Sequence, residues 1–331
     1  MRKRATARAV AEMAGVSKWT VIRAFTPGAS IAPASRDKVL EAARNLNYSP
    51  NLLARSLATN LTREIAVFID DFANPHKLPF LERLTSAAQA EGLVVMLINI
   101  NIHFDHVHAL INADQRQVDA VVLFGTSFRD ETLRDKRLGP GFPKLFVLAR
   151  DSQIKDVPAI NCDTELAMRE ICEYLDAKGY RRPAFMAGPR ALSTALGRRR
   201  CFRDYWSRKG SPDLVEIQAE RYSAQAGADA MRQFLTTASP KTRVDLIMCE
   251  NDILACGAKT VICNEFGLSV PDDIGIVGFD NIELSADPAY GLTTYEQPID
   301  EMVRATIDMI LGRRSRQSVN FPGRFVPRSS A

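Results

Sequence analysis

At 331 residues, with 46% hydrophobic and 25% charged side chains, the chain has an ordinary globular composition and is long enough for two or three compact units. The formal charge of +4 is unevenly spread, because residues 1–60 hold ten Lys or Arg against three Asp or Glu and leave the remainder slightly acidic. No stretch approaches the roughly 18 uncharged apolar residues of a membrane span, and residues 5–16 are broken by Arg8, Glu12 and Gly15, so neither a membrane protein nor a secretory leader is expected; the expected location is the cytoplasm.

The first elements are helical. Residues 10–25, VAEMAGVSKWTVIRAF, place apolar side chains at Val10, Ala14, Val16, Val21 and Phe25 around Gly15, which is the pattern of helix, tight turn, helix. Ser17 is expected to cap the second helix, which leaves Lys18 and Trp19 in its first turn. Ser35 and Arg36 open a third helix, with Val39, Ala43 and Leu46 on one side, that ends before Tyr48, Ser49 and Pro50. A small basic head on a near-neutral body suits a polyanionic partner. The next stretch, NLLARSLATN, is too short to be a stable helix alone and is expected to fold only against something else.

From Glu64 onward apolar runs alternate with helical segments: IAVFI, LVVMLINI, DAVVLF, KLFVL, PAFMA, DLIMC and IGIVGF. Such runs imply parallel strands covered on both faces. The series is too long for one sheet and divides near residues 161–165 into two doubly wound halves, with residues 292–312 as a candidate to cross back to the first. Ligands of such sheets sit beyond the carboxyl ends of the strands, where Asp71, Asn251, Asp252, Asp280 and Asn281 stand.

Other chemistry is sparse. Six cysteines, at 162, 172, 201, 249, 256 and 263, form no CxxC pair and read as buried reduced thiols. His103, His106 and His108 beside Asp105 match no standard ligand spacing and read as a loop entering a helix at Asp105. No glycine-rich phosphate loop, nucleophile elbow or acid/base dyad is present, so no catalytic residue, metal or cofactor is expected. An exported solute-binding protein is the alternative for residues 64–331 alone, and the basic head argues against it.

Taken in order, VAEMAGVSKWTVIR, KVLEAARNLNYSPNLLARSLAT, AGPRALSTALGRRRCF, END, IGIVGFDN and LTTYEQP resemble the LacI/GalR family of bacterial transcription regulators over nearly the whole chain. The resemblance implies an α/β protein: an N-terminal all-α helix-turn-helix head plus two doubly wound parallel-sheet subdomains like those of periplasmic binding proteins. The expected division is 1–49 for the DNA-binding head and 50–63 for a hinge helix and linker. Residues 64–331 then form the effector-binding and dimerisation domain, split into an N-subdomain of about 64–162 and 292–320 and a C-subdomain of about 163–291 and 321–331.

The function implied is that of a sequence-specific regulator, by expectation a repressor, that binds a pseudo-palindromic operator in double-stranded DNA as a homodimer and answers to a carbohydrate-like effector. A corepressor would use the same architecture, so the sign of the response stays open. No heptad helix is visible at the C-terminal end, so a dimer is expected and not a coiled-coil tetramer.

The residues carried over as DNA-binding are Thr6, Ser17, Lys18, Trp19, Thr20, Ile22, Arg23 and Tyr48 in the head, with Asn51, Ala54 and Leu57 in the hinge, where Leu57 would wedge into the minor groove. Lys18 donates to guanine, and Arg23 either grips guanine bidentately or clamps phosphate. Trp19 meets a thymine methyl or packs; Ile22 touches DNA or turns inward. Those carried over to the effector cleft are Arg198, Asp280 and Asn251, with Asp71, Asp163 and Phe124 as further candidates. Asp280 is either a ligand acceptor or a cap, and Phe124 either a ring platform or core. Two departures stand out: Ala32 and Pro33 replace a polar cap before the third helix, and Ala149 stands where the family often has an aspartate, which removes one acceptor and disfavours a standard hexose.

Overall fold

The computed structural model describes all residues except 1–4, 27, 28, 50–60, 101–104, 136, 137, 139–141, 143, 153, 191–195, 212, 213 and 238–243. The hinge candidates Asn51, Ala54 and Leu57 therefore lie outside the described residues. The chain forms two compact units, Met1–Thr62 and Arg63–Ala331.

The first unit holds three helices: α1 (Ala7–Ala14), α2 (Lys18–Ala24) and α3 (Pro33–Asn45). Thr6 caps α1 by accepting from the Ala9 amide, and Gly15 ends it at φ 64°, where a glycine carries no Cβ penalty. Ser17 Oγ then accepts from the Thr20 amide at 3.1 Å and starts α2. Val10, Val21 and Val39 meet in the centre, and the rings of Phe25 and Tyr48 close one side edge to face at 5.8 Å. The third helix begins at Pro33, two residues before the expected Ser35. No side chain caps it; proline at the first helical position lacks an N–H that would be unpaired there anyway, so it starts a helix at low cost.

The second unit is built on two parallel sheets. Strands β1 (Glu64–Ile69), β2 (Val94–Asn99), β3 (Ala120–Phe124), β4 (Lys144–Leu148) and β5 (Ala159–Cys162) belong to the first; β6 (Pro183–Ala187), β7 (Val215–Gln218), β8 (Leu246–Cys249) and β9 (Gly275–Val277) form the second. The first sheet runs β11-β5-β4-β3-β1-β2 and the second β7-β6-β8-β9, where β11 (Val319–Phe321) returns from the far end of the chain. Between the sheets, β10 (Thr294–Glu296) and β12 (Arg324–Val326) pair antiparallel.

The helices of this unit are α4 (Lys77–Ala90), α5 (His106–Gln115), α6 (Thr164–Ala177), α7 (Arg198–Arg208), α8 (Ala224–Thr237), α9 (Asp252–Asn264) and α10 (Ile299–Ile310). Helix α10 packs against α4 of the first lobe, so the chain crosses from the second lobe back to the first. Among the described residues, no helix is long and apolar enough to cross a membrane. Asp105 caps α5 through the His108 amide, and no cluster of metal-ligating side chains occurs among the described residues.

Helices α8 and α9 approach closely because Gly227 and Gly257 face the other helix: a Cβ on Gly227 would collide with the Leu254 backbone, and one on Gly257 with the Ala224 carbonyl. Helix propensity alone would favour Gly257→Ala by about 1 kcal/mol. Because the contact is with rigid backbone, we expect Gly257→Ala to destabilise the protein by about 2 kcal/mol or more in denaturant unfolding; an unchanged or raised midpoint would refute this packing.

Candidate functional site

In the head, helix α2 divides into two faces. Val21 and Ala24 are buried, whereas Lys18, Trp19, Ile22 and Arg23 are exposed on the other side, with Trp19 at 73% and Ile22 at 39%. The alternative that Trp19 packs inward is therefore excluded within this unit, whose core is complete without it. Ser17 and Thr20 share a hydroxyl contact of 2.9 Å at the front of the helix, and Thr6 is exposed at the start of α1. Tyr48 is half-buried against Phe25. A short helix start carrying one ammonium, one guanidinium and two apolar groups can meet phosphates, base edges and methyl groups together.

In the second unit a cavity of about 300 Å³ opens at the carboxyl ends of the strands of both sheets. The first lobe contributes Asp70 and Asp71 after β1, Asn74, His76 and Lys77 at the start of α4, Phe124 and Gly125 at the end of β3, and Ala149 after β4. The second contributes Arg198, Arg221, Tyr222, Asn251 and Asp280, and Gln297 lies where the chain crosses between them.

Arg198 is the first residue of α7 and only 6% exposed. Its Nη1 donates to the Glu250 carbonyl at 2.5 Å, its Nη2 lies 3.6 Å from Asp280 Oδ1, and its guanidinium stacks 3.7 Å above the Phe279 ring. Its Nε has no partner among the described residues. Asp280 accepts from Gln297 Nε2 at 2.7 Å, and the same amide group lies 3.1 Å from His76 Nε2. Burial raises the Asp280 carboxyl to about 6 despite Arg198, Gln297 and Lys77, which all favour its ionised form. Burial, aided by Arg198 and Lys77, pushes His76 down to about 3, so its ring is neutral and accepts at Nε2.

Opposite stands a second buried pair. Lys77 Nζ donates to Asp70 Oδ1 at 3.1 Å and to the Phe124 carbonyl at 3.2 Å, and sits 3.9 Å over the Phe124 ring. Burial alone would raise Asp70, but the charge of Lys77 and the Ser127 amide outweigh it and hold the carboxyl below its ordinary value. Asp71, at φ 50°, has one buried oxygen without a partner among the described residues; burial first, and then the neighbouring Asp70, raises it to about 6.

The expected cleft residues Arg198, Asp280, Asn251, Asp71 and Phe124 all line this cavity. Asp163 does not: its carboxylate accepts from the Leu166 amide at 3.0 Å and caps α6, because an aspartate preceding a helix satisfies orphan amides first. Asn251 also caps, through Oδ1 to Leu254, which leaves its amide nitrogen for the cavity. The capping alternative for Asp280 fails, since Asp252 takes the Ile282 amide instead. Phe124 is both core and cavity wall, being 2% exposed. Arg199 and Arg200 turn away to Glu216 and Glu165. Sequence reasoning missed Asp70, His76, Lys77, Arg221, Tyr222 and Gln297. A charged pair directly at and after a strand end, DD followed by HK, was the available signal for the first three.

Comparison with known proteins places these features in context. Residues 6–51 match the model described as bacterial regulatory proteins, lacI family, and residues 172–331 match a periplasmic binding protein-like domain. The chain is 30% identical over 341 residues to the HTH-type transcriptional repressor PurR of Photorhabdus laumondii, covering 98% of this chain and 96% of that one. It is 28% identical over 327 residues to the HTH-type transcriptional repressor CytR of Escherichia coli, covering 97% and 93%. Among solved structures, the lac repressor dimer bound to operator and the anti-inducer ONPF is similar with a TM-score of 0.84 and 25% identity over 99% of both chains.

The Asp71 carboxyl titrates above the ordinary aspartate value, so its contribution is complete where it is protonated and is lost as pH rises through about 6. Asp71→Asn, which fixes a neutral amide, is expected to raise stability by about 1 kcal/mol at pH 7.5 and by almost nothing near pH 4. Thermal melting across this range checks it; equal gains at both pH values would remove burial as the cause.

Proposed function

Because the chain belongs to the LacI family of bacterial regulatory proteins, we propose that it is a transcriptional repressor whose hold on a pseudo-palindromic operator is set by a small molecule bound at the Arg198–Asp280 cavity. The observation that carries the reading is the outward face of α2, where Lys18, Trp19, Ile22 and Arg23 stand exposed on a head whose core is already closed. In this reading α2 enters the major groove, Arg23 grips guanine, and Trp19 and Ile22 lie against thymine methyl groups. Ser17, Thr20 and Thr6 at the helix starts, and Tyr48 against Phe25 at the far end of α2, meet phosphates. Asn51, Ala54 and Leu57 would form the hinge contact in the minor groove.

The effector reading rests on buried donors and acceptors that face a cavity from two lobes. A ligand that completes the bonds of Arg198, Asp280, Asn251 and Asp71 in one lobe arrangement shifts the population toward it, and through the dimer alters the spacing of the heads. The second copy is expected on the first lobe, where the edge strand β2 pairs, among the described residues, with β1 alone and exposes Val94 at 60% and Leu97 at 45%, with Leu78 of α4 at 58%. The polar groups that line the cavity suit an oxygen-rich ligand such as a sugar or sugar derivative. The reading involves no catalytic step, and it places the protein on DNA in the cytoplasm.

Selection from a random duplex pool tests it: a motif of two related half-sites is expected, and no enrichment would end the reading. On that operator Arg23→Ala should abolish specific binding. Replacing the thymines that Trp19 contacts by deoxyuridine should cost about 1 kcal/mol per methyl in wild type and nothing in Trp19→Ala. Arg198→Ala should no longer be released from operator by a ligand that releases wild type; unchanged release would overturn the cavity assignment.

A further inference from the structure

Two buried cations at the cavity have N–H groups with no partner among the described residues. An ammonium carries three N–H groups. Lys77 spends two, on Asp70 and on the Phe124 carbonyl, and the residue lines the cavity with the third unassigned. Phe124 is the register partner of Leu148, so the ammonium sits over the ends of β3 and β4. There Ala149 offers only a methyl group. From the opposite lobe Arg198 brings an Nε that has no partner among the described residues, and its Nη2 reaches Asp280 only at 3.6 Å. Lys77 from one lobe and Arg198 from the other line the same cavity. Arg221 adds an exposed guanidinium at the cavity wall. On the acceptor side, one buried oxygen of Asp71 has no partner among the described residues, and Glu220 stands beside Arg221 in the cavity wall.

Resting on the effector reading above, we propose that the ligand is a hydroxylated carboxylic acid, an aldonate or uronate, whose carboxylate lies between Lys77 and Arg198 while its hydroxyls donate to Asp71. A carboxylate accepts from both cations at once, and such charge-assisted bonds are about twice as strong as those of a neutral hydroxyl. A neutral aldose leaves the same N–H groups with weaker partners in a dry site, which is costly. The cavity volume of about 300 Å³ suits one sugar-sized molecule.

Titration calorimetry of the full chain with D-gluconate, D-galactonate, D-glucuronate and D-galacturonate, each against D-glucose or D-galactose, tests the class. At least one acid is expected to bind about tenfold or more tightly than its parent aldose. Lys77→Gln should shrink that ratio to about threefold or less. The paired variant Asp70→Asn with Lys77→Gln, which strands no buried carboxylate, should do the same. An aldose that binds as tightly as its acid overturns the class, an acid preference that survives both variants overturns the carboxylate's place at Lys77, and either result leaves the effector reading standing. Binding of neither set by protein that still holds its operator overturns both.

Discussion

One buried chain of polar contacts runs from one lobe of the sensing half to the other: Arg198 beside Asp280, Asp280 accepting from Gln297, and Gln297 against His76. It begins on a helix of the second lobe, passes through a residue of the crossover and ends at the first turn of a helix in the first lobe. Removing a guanidinium and a carboxylate from water costs several kcal/mol per ion. Part of that is offset by the Glu250 carbonyl and the Phe279 ring against Arg198, and part by the Gln297 amide on Asp280. Among the described residues the compensation is incomplete, as the Nε of Arg198 without a partner and the raised Asp280 carboxyl both indicate. A site built to this degree and left unfinished gains most from a ligand that supplies the absent partners.

The backbone around it explains why such a ligand can act at a distance. The chain joins the lobes through three strands' worth of connection, leaving the first sheet after β5, returning through β10 and α10, and crossing again between β11 and β12. Asp252 fastens the crossover to the second lobe: it accepts from Thr294, Ser285 and the Ile282 amide while fully buried, and burial lifts its carboxyl to about 6. Lobes joined by these crossings, with a polar cavity between their strand ends, are suited to hinge motion, and bonds that link both walls select among the arrangements.

The head was largely legible in advance because its signals are local. A serine before an apolar-periodic segment, a glycine between two helices and valines four residues or more apart dictate caps, turn and core without long-range help, and Ser17, Gly15 and Val21 play those parts in the structure. Only the start of α3 was misplaced, since proline at the first helical position looks like a breaker until its missing N–H is set against the amides a helix leaves unpaired. In the body the seven apolar runs became strands, whereas the short strands β5, β7, β10, β11 and β12 were not foreseen. Three or four residues carry little periodicity, and these strands are decided by the neighbours they pair with.

For the candidate site the division follows the same physics. The amino-acid sequence alone determined that a small basic helical head precedes a two-sheet α/β body, and it marked the polar residues at strand ends, among them Asp71, Asn251 and Asp280, because period, capping and charge are written within a few residues of one another. Only the tertiary structure decided that Asp163 is spent on a helix, that Trp19 faces solvent, and that Lys77, His76 and Gln297 meet Arg198 around one cavity. Those outcomes depend on which groups from distant segments satisfy each other once water is excluded, and pairing energies between residues up to 221 positions apart leave no trace in local pattern.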